Sequence, residues 1–556
     1  MVRCSQSRKC SVYYRNYQYS SCTSIWLSKM IDPTFLLHSL AAKQWERIGI
    51  KHHHGINVPL FSVHSSQSCG IGEFTDLFLL IDWCKSINFD LIQLLPLNDS
   101  GLGTSPYSAL SAFALSPLYL GLHALPHLEE FPSLHDELKA IPKLSNHQRV
   151  DYKLVRENKE RFLHHYYEQA GSLILNSQAY QAFVQNNAWL KGYAVFKTLK
   201  SQYQWSNWES WPIVDQSPTP ELLEKVYAKH QSEVDFHCLI QYLCDQQLKS
   251  VKEYADRHGV YLMGDIPILI DRDSADVWLH RSLFDLEFSA GAPPDMYSSE
   301  GQNWGFPIYN WEALAQENYR WWIDRLNWSC RYYHIYRIDH IIGFFRIWSI
   351  RRSLTSRQGE FIPSDEATWV DHGQRIMCVM LRECEMLPIG EDLGAVPDRV
   401  RECLSALGIC GTRVMRWERL WKDNGRFLLP QEYPEHSMTT VSTHDSETLQ
   451  QWWQSFPLEA QVFAQLKGWS YHPYLNREYQ KEILWDSHHT SSLFHINLLQ
   501  EYLALIPGLT WPHLEDERIN IPGIISERNW SYRFKPSLEE LTSHPALTYL
   551  MQQLII

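Results

Sequence analysis

The segment Tyr336-Arg337-Ile338-Asp339-His340 places a cation and a carboxylate two residues apart in an otherwise apolar run. Side chains alternate along a strand, so Arg337 and Asp339 point to one face. A neighbouring guanidinium lowers an aspartate pKa by roughly one to three units and so keeps the carboxylate ionised, as a nucleophile requires. An internal ion pair that merely sets strand register would use the same residues, although burial makes such a pair a weak source of stability.

Two further acids close apolar runs: Glu391 in Leu387-Pro388-Ile389-Gly390-Glu391, and Asp445 beside His444 in the run from Met438. Carboxyl groups at three strand ends of a parallel barrel converge on one pocket. Glycosidic chemistry uses such a set: one carboxylate attacks the anomeric carbon, one acid protonates the leaving oxygen, and another stabilises the oxocarbenium-like state. Metal binding is the rival use of clustered acids, but no ligand spacing accompanies them. His52, His53 and His54 precede the first expected strand and read as surface residues.

The positioning elements are expected to be strands at Ile56–Val63, Phe89–Asp99, Val260–Ile270, His334–His340, Met386–Gly394, Gly411–Trp417 and Met438–Asp445. Helix-like segments separate most of them, which predicts a parallel sheet. One junction is explicit: Leu239, Leu243, Val251 and Tyr254 follow a helical period, and His258-Gly259 stops the helix before the third strand. Gly70-Ile71-Gly72 lacks a third glycine and reads as a turn rather than a dinucleotide fingerprint. The expected fold is α/β, a (β/α)8 TIM barrel with large, mainly helical insertions between barrel strands.

Residues 120–235 break the rhythm and predict an inserted helical subdomain within a catalytic unit spanning 30–556. There Trp189, Tyr193, Phe196 and Leu199 recur at helical spacing and are assigned to its core. Trp205 to Trp211 is too polar to assign to core or ligand. Residues 1–29 carry Arg and Lys but no acid. They suit a transit-like segment, a disordered arm, or an extension ahead of a start at Met30.

A net charge of −13, from 50 Lys plus Arg against 63 Asp plus Glu, disfavours a nucleic-acid partner. No apolar run reaches the roughly 18 residues of a membrane span. Twelve cysteines without a C-x-x-C pair suggest reduced thiols in the cytoplasm rather than a zinc or redox site. No cofactor follows from the residues. The 23 Trp and 29 Tyr suit hydroxylated, flat-faced ligands such as sugars, although large barrels are commonly rich in aromatics.

From about Ile56 to Tyr532 the chain resembles the 4-α-glucanotransferase family, also called amylomaltase or disproportionating enzyme, of the α-amylase clan. The strings that carry the resemblance are SPYSALSAFALSP from Ser105, GDIPILIDRDSADVW from Gly264, GAPPDMYSSEGQNWGFPIY from Gly291, YRIDH, GEDLG, STHD, RINIPG and NWSYR. It implies Asp339 as nucleophile, Glu391 as general acid/base and Asp445 as transition-state stabiliser. Arg337 would orient Asp339, His340 and His444 would bind sugar hydroxyls, Tyr107 would stack under the ring, and Asp265 would support the donor site. Gln302 and Trp304 would contact the glucan from a covering loop. The implied substrates are maltooligosaccharides and α-1,4-glucans. Hydrolysis, debranching-type transfer or silent glucan binding are the alternatives. Ser116, Met296 and Ser446 depart from the usual Asn, aromatic and Asn at those places.

Overall fold

The computed structural model describes residues 33–144, 147–294, 298–421 and 425–556. The expectations for residues 1–29 and for Met296 lie outside the described residues.

Eight parallel strands close a barrel: β1 (His53–Val58), β2 (Leu91–Leu94), β3 (Tyr261–Pro267), β4 (Ile335–Asp339), β5 (Leu387–Gly390), β6 (Cys410–Val414), β7 (Ser437–Thr440) and β8 (Phe494–Leu498). Each pairs with its neighbours in chain order, and β8 closes onto β1 with Gly55 opposite Ile496. Strands such as Leu91-Ile92-Gln93-Leu94 are buried at every position, because helices cover the barrel outside while side chains fill its interior.

The barrel bears out the expected fold class, with two corrections to its strands. β1 runs from His53 and stops before Pro59, so His53 and His54 belong to it. His53 is fully buried, with Nδ1 2.9 Å from Asp90 Oδ2, and His54 Nδ1 is 3.0 Å from His488 Nδ1. Only His52 of the three is exposed, and even its ring stacks on that of His495. Their polarity pointed to the surface, but Asp90 and the Gly49 carbonyl meet the His53 nitrogens and His488, on the helix before β8, meets His54. The second correction is β8 itself, which escaped the sequence reading. Its residues Phe-His-Ile-Asn-Leu mix polar and apolar side chains, all buried, and the helix Leu499–Leu503 follows without a turn.

The long helix Gln231–His258 ends at Gly259, whose φ of 68° is the left-handed conformation that favours glycine. Between β2 and β3 lie this helix and those at Pro132–Ala140, Tyr152–Leu175, Gln178–Asn186, Trp189–Gln202 and Pro220–Lys229. Tyr193, Phe196 and Leu199 are buried and Trp189 is partly buried, as their spacing predicts. Trp208 and Trp211, which could not be assigned from sequence, are also buried.

These helices are tied to the loop after β2 by a buried ion pair, Lys197 Nζ to Asp99 Oδ2 at 2.7 Å. An antiparallel sheet of Glu360–Ile362, Ile347–Arg351, Phe288–Ala292 and Gln302–Asn303 is built from the connections that follow β3 and β4. Among the described residues no helix is long and apolar enough to cross a membrane.

Candidate active site

The registers of β3, β4 and β5 assemble the charged centre. Asp265 pairs in register with Arg337, and Pro267 with Asp339. On the other side Ile338 pairs with Gly390, so Glu391 emerges one step later, level with Asp339. Asp339 is the last residue of β4, and Glu391 is the first beyond β5.

Arg337 is buried, and its Nη1 bridges Asp265 Oδ2 at 2.8 Å and Asp339 Oδ1 at 2.9 Å. Burial opposes its charge, but the carboxylates of Asp265 and Asp339 outweigh that and push its pKa up. The Asp265 side chain has no solvent exposure, whereas that of Asp339 keeps 29%, enough for a ligand to reach it.

Glu391 is held differently. Its Oε2 accepts the backbone N–H of His340 at 2.8 Å, and its Oε1 accepts that of Leu393 at 3.1 Å. Burial pushes its pKa up to about 7; Arg337 pulls the other way, and the negative charge of Asp339 adds to the rise. Two adjacent carboxyls therefore differ in character: one is clamped by a guanidinium, and the other is poised to carry a proton at neutral pH.

Tyr107 joins this centre to the third acid. Its hydroxyl donates to Asp265 Oδ2 at 2.8 Å and lies 3.0 Å from His444 Nε2. With that hydrogen committed to Asp265, His444 Nε2–H is the donor to the phenol oxygen. The Tyr107 and His444 rings stack at 5.4 Å, and Trp530 packs against both. Burial first, then Asp265, pushes the Tyr107 pKa well above its ordinary value, so the phenol keeps its proton.

Asp445 lies not at a strand end, as its sequence context suggests, but five residues past β7 in a turn. The backbone N–H of Thr443 donates to Ser446 Oγ at 2.9 Å and closes that turn, so the serine found in place of asparagine caps it. Asp445 Oδ2 is 3.5 Å from His444 Nε2, and its Oδ1 accepts from Asn520 Nδ2 at 2.7 Å.

His340 adopts a left-handed backbone with φ 50°, uncommon for a residue with a side chain. Burial lowers its pKa to about 4 despite Asp339, leaving a neutral imidazole. The Trp304 ring meets it edge-on at 5.0 Å, and Trp304 Nε1 donates to Gln302 Oε1 at 3.1 Å. Through these contacts all ten residues singled out from the sequence form one connected set. Asn520, Arg518 and Trp530 were missed as individuals, although they lie in the strings RINIPG and NWSYR. Among the described residues no three His, Cys, Asp or Glu side chains form a group able to hold a metal ion.

A family model described as 4-alpha-glucanotransferase matches residues 58–539. The chain is similar to a 4-alpha-glucanotransferase of Chlamydia pneumoniae, 45% identical over 522 residues, covering 93% of this chain and 98% of that protein. A second, from Chlamydia caviae, is 46% identical over 513 residues and covers 92% and 96% of the two chains. In fold it is similar to an amylomaltase from Streptococcus agalactiae solved in complex with acarbose. That likeness has a TM-score of 0.78 and 24% identity, over 91% of this chain and 98% of the other.

Proposed function

Because the chain belongs to the 4-alpha-glucanotransferase family, we propose that this site moves α-1,4-glucan segments from a donor maltooligosaccharide to the 4-hydroxyl of an acceptor sugar by retaining double displacement. The observation that carries the reading is the pairing of Arg337-clamped Asp339 with Glu391, whose pKa is near 7, on adjacent strands.

In the first half-reaction the Asp339 carboxylate bonds to C1 of the donor as the C1–O bond to the departing chain breaks. The proton of Glu391 goes to that oxygen. In the second, Glu391 takes the proton of an acceptor 4-hydroxyl, whose oxygen bonds to C1 as the ester to Asp339 breaks. Asp445, His444 and the neutral His340 hydrogen-bond the ring hydroxyls, and Tyr107 stacks beneath the ring. Trp304 and Gln302 cover the chain, and Asp265 and Arg337 keep the nucleophile oriented.

The helices between β2 and β3 are read as a subdomain bracing the loop that carries Tyr107, supported by the Lys197–Asp99 pair. Cytoplasmic location is supported by the described cysteines, Cys69 to Cys410, being free thiols.

Incubation with maltotriose tests the assignment. Transfer yields glucose and a ladder of longer chains; products all shorter than the donor identify a hydrolase instead. Asp339→Asn is expected to abolish turnover while glucan binding persists, and unchanged turnover would sink the nucleophile assignment.

A further inference from the structure

Asp445 projects from a turn and its side chain is 46% exposed, so neither strand geometry nor packing fixes its rotamer. Among the described residues one side chain hydrogen-bonds its carboxylate: Asn520 Nδ2, 2.7 Å from Oδ1. His444 Nε2 is 3.5 Å from Oδ2 and already serves Tyr107.

Asn520 is itself clamped. Its backbone N–H donates to His444 O at 3.1 Å, and its carbonyl accepts from Arg518 Nη2 at 2.9 Å and Nε at 3.2 Å. Arg518 Nη2 also reaches the carbonyl of Asp445 at 3.2 Å. Behind it runs a chain of ion pairs: Arg518 Nη1 to Glu447 Oε1 and Arg416 Nη2 to Glu447 Oε2, each at 2.7 Å.

Arg518 thus engages main-chain carbonyls and Glu447, and Arg416 engages Glu447, while the group facing the Asp445 carboxylate is a neutral amide. That arrangement has a chemical consequence. A cation in the place of Asn520 would offset the negative charge that an oxocarbenium-like state draws on, whereas an amide orients Oδ1 and leaves the charge in place, with Oδ2 free for the sugar.

We propose that Asn520 is a positioning residue that sets the Asp445 carboxylate for the transition state, and that the Arg416–Glu447–Arg518 chain holds Asn520 in register. The inference rests on Asp445 being the transition-state stabiliser.

The test is a double-mutant cycle on maltotriose disproportionation by the full chain, with kcat and KM measured for wild type, Asn520→Ala, Asp445→Ala and the pair. A hydrogen bond to a charged group lost in the transition state predicts that Asn520→Ala lowers kcat about 10- to 100-fold and changes KM less than about threefold. In the Asp445→Ala background the same change should cost less than about threefold, because its target is gone. Glu447→Gln should move kcat in the same direction by a smaller factor. Asn520→Asp keeps the shape but sets two carboxylates together, and its kcat should fall below that of Asn520→Ala; it also carries the cycle if the alanine variant does not fold. An Asn520 effect of equal size in both backgrounds, an effect on KM alone, or wild-type kcat in Asn520→Asp would overturn the proposal. Near-wild-type turnover of Asp445→Ala alone would instead overturn the stabiliser reading, independently of Asn520.

Discussion

Glu391 Oε2 accepts a 2.8 Å hydrogen bond from the backbone N–H of His340, the residue that follows Asp339. The acid on β5 is therefore referenced to the backbone that carries its partner on β4. Small movements of the barrel wall shift both carboxyls together rather than changing the gap between them.

Glu391 must be protonated to release the leaving chain. With its pKa near 7, kcat/KM should fall as pH rises above about 7, and a pH–rate profile of maltotriose turnover checks this. Glu391→Gln should lower kcat about 10²- to 10⁴-fold. Stability should also fall with rising pH. Between the ordinary glutamate pKa and about 7 the folded state binds more protons than the unfolded one, so its stability declines as pH rises through that window. The glutamine variant lacks this loss, and its Tm should exceed that of wild type at pH 8 but not at pH 4.5.

Tyr107 links Asp265 to His444 through one hydroxyl. Tyr107→Phe keeps the ring for stacking and deletes that link, leaving a buried carboxylate one donor short. The expected outcome is a kcat/KM loss of about 10-fold or more with an unchanged fold. Steady-state kinetics with circular dichroism as control decides it, and wild-type kinetics would make the hydroxyl dispensable.

Asp99 is buried between Lys197 Nζ at 2.7 Å and the Tyr193 hydroxyl at 2.6 Å. Burial works against its charge, but Lys197 prevails and holds its pKa low. Lys197→Met strands that charge and should cost about 3–5 kcal/mol in urea unfolding. Adding Asp99→Asn should return most of the loss. If the single variant unfolds at the wild-type midpoint, the pair does not anchor the inserted helices.

His54, His488 and His495 gather at the N-terminal end of β1 and β8. Burial, reinforced by neighbouring imidazoles, lowers His54 to about 4 and His495 to about 3, though Asp90 pulls His54 upward. The unfolded chain takes up these protons near pH 6.5, the folded one only below about 4. Their contribution is therefore complete above pH 6.5 and lost as pH falls, at up to about 1.4 kcal/mol per pH unit for each ring. Tm should drop steeply between pH 6 and 4.5. His54→Gln should flatten that slope, and an identical slope would remove His54 from the account.

Local pattern alone determined much of the chemistry. Arg337 and Asp339 share a face because a strand alternates, whatever surrounds it, and Gly259 ends a helix because it adopts a left-handed turn at little cost. Most barrel strands were legible because buried parallel strands are short apolar runs bounded by polar ends, and the site strings lie at or near those ends. Tertiary structure decided what depends on partners distant in the chain. His53 and His54 are polar residues that turn inward only because Asp90 and His488 arrive to meet them. β8 carries buried polar residues that Ser487 and Tyr502 satisfy, so no apolar run announced it. Asn520 reaches Asp445 across 75 residues of sequence, and Lys197 reaches Asp99 across 98. Such pairs leave no local periodicity, because hydrogen bonds and ion pairs are selected by distance in space, which barrel closure supplies.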